Sequence, residues 1–171
     1  MQKYFNFYVR VVDRVSDYVG IVAMYLIFLM VGILLIDAIT RNVIHIPLHW
    51  GIEAAQFTLA AYYFMGGAMT IKDNAHVRMD LFYGECTPRK KDWIDLATIG
   101  CLLFYLLVML FGSISSLEYA LETNETRFSM WNPSMIPIKI LMVGCIVLMI
   151  LQTISMIIKH VTSLLGKEKE V

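Results

Sequence analysis

The sequence predicts an all-α integral membrane protein with four transmembrane helices and both termini in the cytoplasm. Three observations lead there. The chain holds four long apolar runs without a charge, its prolines all fall between those runs, and its lysines and arginines gather on one side of them. Of 171 residues, 58% are apolar and only 16% charged, with a mean hydropathy of +0.66. A soluble domain is about 45–50% apolar and about 25% charged. One soluble core of this length cannot hide the excess, whereas lipid can.

The uncharged runs are Tyr18–Ile36, Ala54–Ile71, Leu96–Leu117 and Ile140–Ile158. A helix of about 20 residues matches the roughly 30 Å hydrocarbon core of a bilayer, and a membrane β-barrel would instead alternate over segments of about 10 residues. Pro47, Pro88, Pro133 and Pro137 lie outside the runs, as unbroken helices require. The chain is therefore expected to form a single membrane domain over 1–171, with spans at about 18–40, 51–71, 94–117 and 138–159. The first run is too long for a signal-peptide core and no A-x-A-like site follows it, so it is expected to stay as an anchor.

Residues 2–17 precede the first span. Lys3, Asn6, Arg10, Asp13 and Asp17 recur at steps of three and four, with Phe5, Tyr8, Val9, Val12 and Val15 on another face. This pattern fits an amphipathic interfacial helix, and equally a cytoplasmic extension of the first span. Residues 160–171 are expected to form a cytoplasmic tail. Orientation rests on the basic residues: 11 of the 14 fall before span one, between spans two and three, or after span four. Arg41, Arg127 and Lys139 alone fall on the other side. Trp50, Trp93 and Trp131 sit near span ends or in loops, where indole suits the interface.

Within the four runs there is no Asp, Glu, Lys, Arg, His or Pro. A carrier that works alone keeps ionisable groups or broken helices at mid-membrane, so this chain is a poor carrier by itself. His45, His49, His76 and His160 lie outside the apolar cores, which disfavours haem held between spans. His45 and His49 have the i, i+4 spacing of a helical metal pair, but Pro47 separates them and no third ligand is near. Cys86, Cys101 and Cys145 show no paired spacing and are read as structural. No nucleophilic-hydrolase pattern occurs, and no cofactor is expected on this chain. The net charge of zero gives no pull toward nucleic acid.

The polar groups worth weighing cluster around span two. Asp37 and Arg41 close span one at i, i+4; Trp50 and Glu53 open span two, the acid favoured by the helix dipole. Arg41 and Glu53 are expected to meet each other or charges on a neighbouring subunit. Gly66, Gly67 and Ala68 let another backbone approach closely. Lys72 follows, then His76, Arg78 and Asp80, which read as an ordered elbow. Gly112 and Ser116 form a further small-residue pair in span three. Asn124-Glu125-Thr126 matches a glycosylation sequon, a pattern common by chance.

In this order, an Arg after span one, W-x-x-E opening span two, Gly-Gly-Ala near its end and H-V-R-x-D beyond it resemble one family. It is the small, four-helix membrane subunit of tripartite ATP-independent periplasmic (TRAP) transporters. The matching residues are Arg41, Trp50, Glu53, Gly66, Gly67, Ala68, His76, Arg78 and Asp80; the last two spans match only in hydropathy. The resemblance implies a bacterial inner-membrane subunit, not an enzyme, that binds a large multi-span transport subunit. Such systems import organic acids, including dicarboxylates and sialic acid, with a sodium gradient and a periplasmic substrate-binding protein. The sodium ions are then expected on the large subunit, and this chain is expected to extend the static scaffold. Glu118, Glu122 and Glu125 on the outer side are candidate docking contacts for the binding protein, and membrane lipids are the remaining partner. A membrane anchor of a redox complex and a stand-alone small exporter are the rival readings.

Overall fold

A computed structural model describes the backbone of residues 2–46, 48–73 and 88–167, and the side chains of residues 7–46, 48–73 and 97–159. It is helical almost throughout: α1 (Gln2–Ile39), a π-helical turn (Thr40–Ile44), α2 (Gly51–Lys72), α3 (Pro88–Thr123) and α4 (Ile136–Lys167). Pro88 is the first residue of α3 and Pro137 lies in the first turn of α4, positions where a helix has no use for the missing N–H. Asn124 ends α3 in the left-handed region (φ 46°), and the N–H of Glu125 reaches back to the carbonyl of Ala120 at 3.1 Å. That is the geometry in which Asn substitutes for a terminating glycine.

α1, α3 and α4 are long and apolar enough to cross a membrane. α2 has the length, at 22 residues, but Gln56, Thr58, Tyr62, Tyr63 and Thr70 dilute its apolar content. Two of those groups are satisfied locally. The Thr58 hydroxyl donates to the Ala54 carbonyl and the Thr70 hydroxyl to that of Gly67, each at 2.8 Å.

α1 runs unbroken through Tyr18, so residues 2–17 are not a separate interfacial helix. No Gly or Pro precedes Gly20 to break the helix, and its 38 residues extend over about 57 Å. Residues 2–17 are thus continuous with the helix that carries the first apolar run. The tail expected from residue 160 onward is likewise helical as far as Lys167.

α1 and α2 pack antiparallel along the whole of α2, with α4 against both; α3 touches α4 and neither α1 nor α2 among the described residues. Small side chains make the close approach possible. Ala23 of α1 and Ala55, Ala61 and Ala68 of α2 are buried, and Gly20 receives Met69 while Gly67 receives Met149 of α4. The expected small-residue cluster therefore divides: Gly67 and Ala68 face the inside of the subunit, but nothing lies within 4 Å of a Cβ placed on Gly66. Gly112 is open in the same way.

A Cβ at position 67 would lie 2.4 Å from Met149 Cε and 3.0 Å from its Sδ. Gly67→Leu should accordingly destabilise the subunit by about 1–3 kcal/mol, seen as a lower midpoint for loss of the monodisperse peak on heating in detergent. Gly66→Leu should leave that midpoint unchanged or slightly raised, and equal losses at both positions would contradict this packing.

Candidate subunit interface and boundary charge layers

The described charged side chains form two layers, one at each end of the α1–α2 pair. At the end where α1 begins and α4 finishes, Lys72 is paired with Asp17, and Lys159 donates to Asp13 Oδ2 at 2.8 Å. Gln152 ties the layer to α4. Its amide nitrogen donates to Asp13 Oδ1 at 2.8 Å, and its carbonyl oxygen accepts from the Ser16 hydroxyl at 3.1 Å. Gln152 and Ser16 are fully buried, so these bonds satisfy groups that neither water nor lipid reaches. The Tyr8 hydroxyl adds a bond to the Leu151 carbonyl at 3.2 Å. The Asp17 carboxylate holds the Lys72 ammonium above the ordinary lysine range. Arg10 and Arg14 stand exposed beside Asp13 and Asp17 along a shallow groove.

At the opposite end, Arg41 donates to Asp37 Oδ2 at 3.0 Å across one helical turn. Asp37 is buried, with Oδ1 lacking a hydrogen-bond partner. Its side chain lies against Gly51, where an added Cβ would sit 3.2 Å from Asp37 Cβ and 3.3 Å from Oδ1. The carboxylate thus adjoins the positive end of the α2 dipole, which favours it there. Arg41 sits in the π-helical turn, which closes at His45 in the left-handed region (φ 60°).

Arg41 and Glu53 do not meet. Glu53 Oε2 accepts from the Ser129 hydroxyl at 2.8 Å, tying the first turn of α2 to the α3–α4 hairpin. That hairpin closes through a single antiparallel bridge between Thr126 and Ser134. Arg127 N–H donates to the Pro133 carbonyl and Met135 N–H to that of Glu125, both at 3.0 Å. Lys139 clamps its base, paired with Glu125 and donating to the Ser116 carbonyl at 3.2 Å. At its tip Phe128 and Met130 are almost wholly exposed and Trp131 partly so.

Of the acids expected to dock a partner, Glu118 and Glu122 are exposed, one turn apart on α3, whereas the charge of Glu125 is spent on Lys139. Trp50 is exposed immediately before α2. His45 and His49 share no helical turn, so the spacing that suggested a metal pair has no helix behind it. His76, Arg78 and Asp80 lie outside the described residues, as does the side chain of Trp93. The sequence placed Asp13 and Asp17 on the polar face of the N-terminal segment and Lys72 in the elbow after span two, without pairing them, and gave no role to Gln152 or Ser129. The one signal was Gln152 itself, an amide inside an apolar run that had to find partners.

These features define a class: a helical integral membrane protein whose described charged side chains lie at the two ends of its helices. Residues 30–163 match the family described as tripartite ATP-independent periplasmic transporters, DctQ component, and the chain belongs to that family. It is the small component of a TRAP transporter, a transporter family and not an enzyme family. Its members work with a large membrane subunit and a periplasmic binding protein. No curated protein matches the chain.

Gln152→Leu should leave Asp13 Oδ1 and the Ser16 hydroxyl without their partner, while Asp13 Oδ2 keeps Lys159, and destabilise the subunit by about 1–3 kcal/mol, read as a lower thermal midpoint in detergent. Ser129→Ala should release the hairpin from α2. Chymotrypsin cutting beside Phe128 or Trp131 should then become several-fold faster with the midpoint little changed; an unaltered cleavage rate would show that Glu53 does not hold the hairpin.

Proposed function

We propose that this chain is the accessory scaffold subunit of a sodium-coupled, binding-protein-dependent importer of organic acids of the dicarboxylate or sialic acid type. One observation carries the reading beyond family membership. Between the two charge layers, the described parts of the helices contain no carboxylate, amine, guanidinium or imidazole. A permeating organic anion or a sodium ion needs such groups or unwound backbone near mid-membrane. The described stretches of α1–α4 between the layers are continuous helix, so both sites fall to the large subunit.

In this reading α2 is the fourth span, in a bacterial inner membrane with both termini cytoplasmic. The pairing of α2 with α1 between the charge layers supports it, as does the gathering of basic residues at one end. The Arg41 guanidinium, half exposed while bound to Asp37, is available to a carboxylate of the large subunit, with Trp50 beside the same outer end. His76, Arg78 and Asp80 would act at the cytoplasmic elbow. Glu118 and Glu122, with the exposed hairpin tip, form the docking surface for the binding protein, while Glu53 and Glu125 hold that surface in place. Arg10 and Arg14 suit phosphate groups of inner-leaflet lipids.

Purified alone into liposomes, the chain should pass no organic anion under a sodium gradient. Uptake should appear when the large subunit and a loaded binding protein are supplied together. Sodium-driven flux through this chain alone would overturn the scaffold reading.

A further inference from the structure

The described spans contain two glutamines, and they are used in opposite ways. Gln152 is fully buried and its amide is satisfied by Asp13 and Ser16. Gln56 is exposed on α2 and has no hydrogen-bond partner among the described residues. It stands five residues past Gly51, about 7.5 Å inside the end of the helix, at a depth where hydrocarbon offers its two donors and its acceptor nothing.

Gln56 belongs to a stripe. Ile52, Gln56, Leu59, Tyr63, Gly66 and Thr70 follow one another at steps of four and three, the a/d spacing of a helix that packs along a second helix. α1 and α4 leave this stripe uncovered: Ile52, Gln56, Tyr63 and Thr70 are exposed, and Gly66 has open space before it. Tyr63 lies about 18 Å along α2, near mid-membrane and far from the headgroup layer that tyrosine favours. The exposed residues of α1 and α3 are chiefly apolar, among them Val22, Phe28, Leu29, Phe104, Val108 and Phe111; Tyr25 and Tyr105 are exposed there too, but neither helix shows an exposed amide among the described side chains. The same polar side chains leave α2 short of the apolar composition that α1, α3 and α4 reach.

We propose that this seam of α2 is where a transmembrane helix of the large subunit packs, with Gln56 hydrogen-bonded across the contact and Gly66 admitting the partner backbone. The seam rests on the scaffold reading above and adds its location. A polar residue at a single seam position fixes register between helices, and small residues with interhelical hydrogen bonds are what drive association in lipid. The partner helix therefore carries a hydrogen-bonding side chain opposite Gln56 and a bulky one opposite Gly66.

The test is photocrosslinking in membranes that contain the full chain and its large subunit. A benzophenone amino acid replaces Gln56 or Tyr63 on the seam, Phe28 on α1, or Phe111 on α3, and a tagged wild-type complex is recovered in parallel. Adducts with the large subunit from positions 56 and 63, several-fold above those from 28 and 111, are the expected result. Gln56→Leu should lower recovery of the complex roughly three- to tenfold, with the lone subunit eluting as wild type does. Adducts arising only from positions 28 or 111 would overturn the seam and leave the scaffold reading standing. Adducts of the chain with itself from position 63 would assign the seam to a second copy and also overturn the proposal. Failure of the wild-type chain to recover any large subunit would remove both readings together.

Discussion

The fold depends on hydrocarbon being unable to solvate charge, and on α1 and α2 meeting that constraint as a pair. Asp17 faces Lys72 at one end of the pair, and Asp37 lies against Gly51 at the other. Twenty residue steps separate Asp17 from Asp37, about 30 Å of helix, which is the thickness of a bilayer core. Between those levels the two helices meet through Gly20, Ala23, Ala61 and Ala68, where small side chains replace the hydrophobic drive that lipid removes. The charge layers fix the register of this packing, because sliding α1 by one turn would carry Asp17 or Asp37 into the apolar zone.

The remaining architecture follows from where that ladder stops. α1 continues for four turns and more before Asp17, too long to be covered by α2, and α4 takes over there through Gln152, Lys159 and the Leu151 carbonyl. The extension is therefore a buttress that ties the end of α2 to α4 through α1. α3 has no share in this layer among the described residues. It is held along α4 and at its far end, where Lys139 reaches the Ser116 carbonyl and Glu125. The hydroxyls of Thr58, Thr70, Ser113 and Thr153 return to carbonyls of their own helix, whereas the buried Ser155 hydroxyl has no hydrogen-bond partner. Against this economy an exposed, unpartnered amide on α2 stands out.

Much of this was legible in the sequence because lipid imposes a single rule over 20 residues at a time. The apolar runs fell inside the observed helices, and the proline positions were compatible with every one. What could not be read was the partner of each polar group. Asp13 and Asp17 lie at helical spacing among other charges, a pattern that fits a solvated face as well as a buttress, and only the arrival of Lys159 and Lys72 from distant segments distinguishes the two. Asp37 and Arg41 pair across one helical turn, as their i, i+4 spacing predicted. Arg41 and Glu53, at neighbouring span ends, were expected to meet each other or charges on a neighbouring subunit, but Ser129, seventy-six residues beyond Glu53, takes that carboxylate. Gly66 and Gly67 looked equivalent as neighbours, yet adjacent helix positions point about 100° apart, so one seats Met149 and the other faces outward.

α2 is the element through which the parts of the molecule act on one another. Its first turn holds the exposed hairpin through Glu53, its last residue is bound to α1 through Asp17, and Gly67 in its last third meets Met149 of α4. If its open seam receives the large subunit, a protein docking on the hairpin tip would bear on the same rigid helix that contacts the transport machinery, with no loop intervening. On that reading the helix that bonds to another polypeptide need not be one optimised for lipid, which fits the Gln56, Tyr62 and Tyr63 side chains of α2.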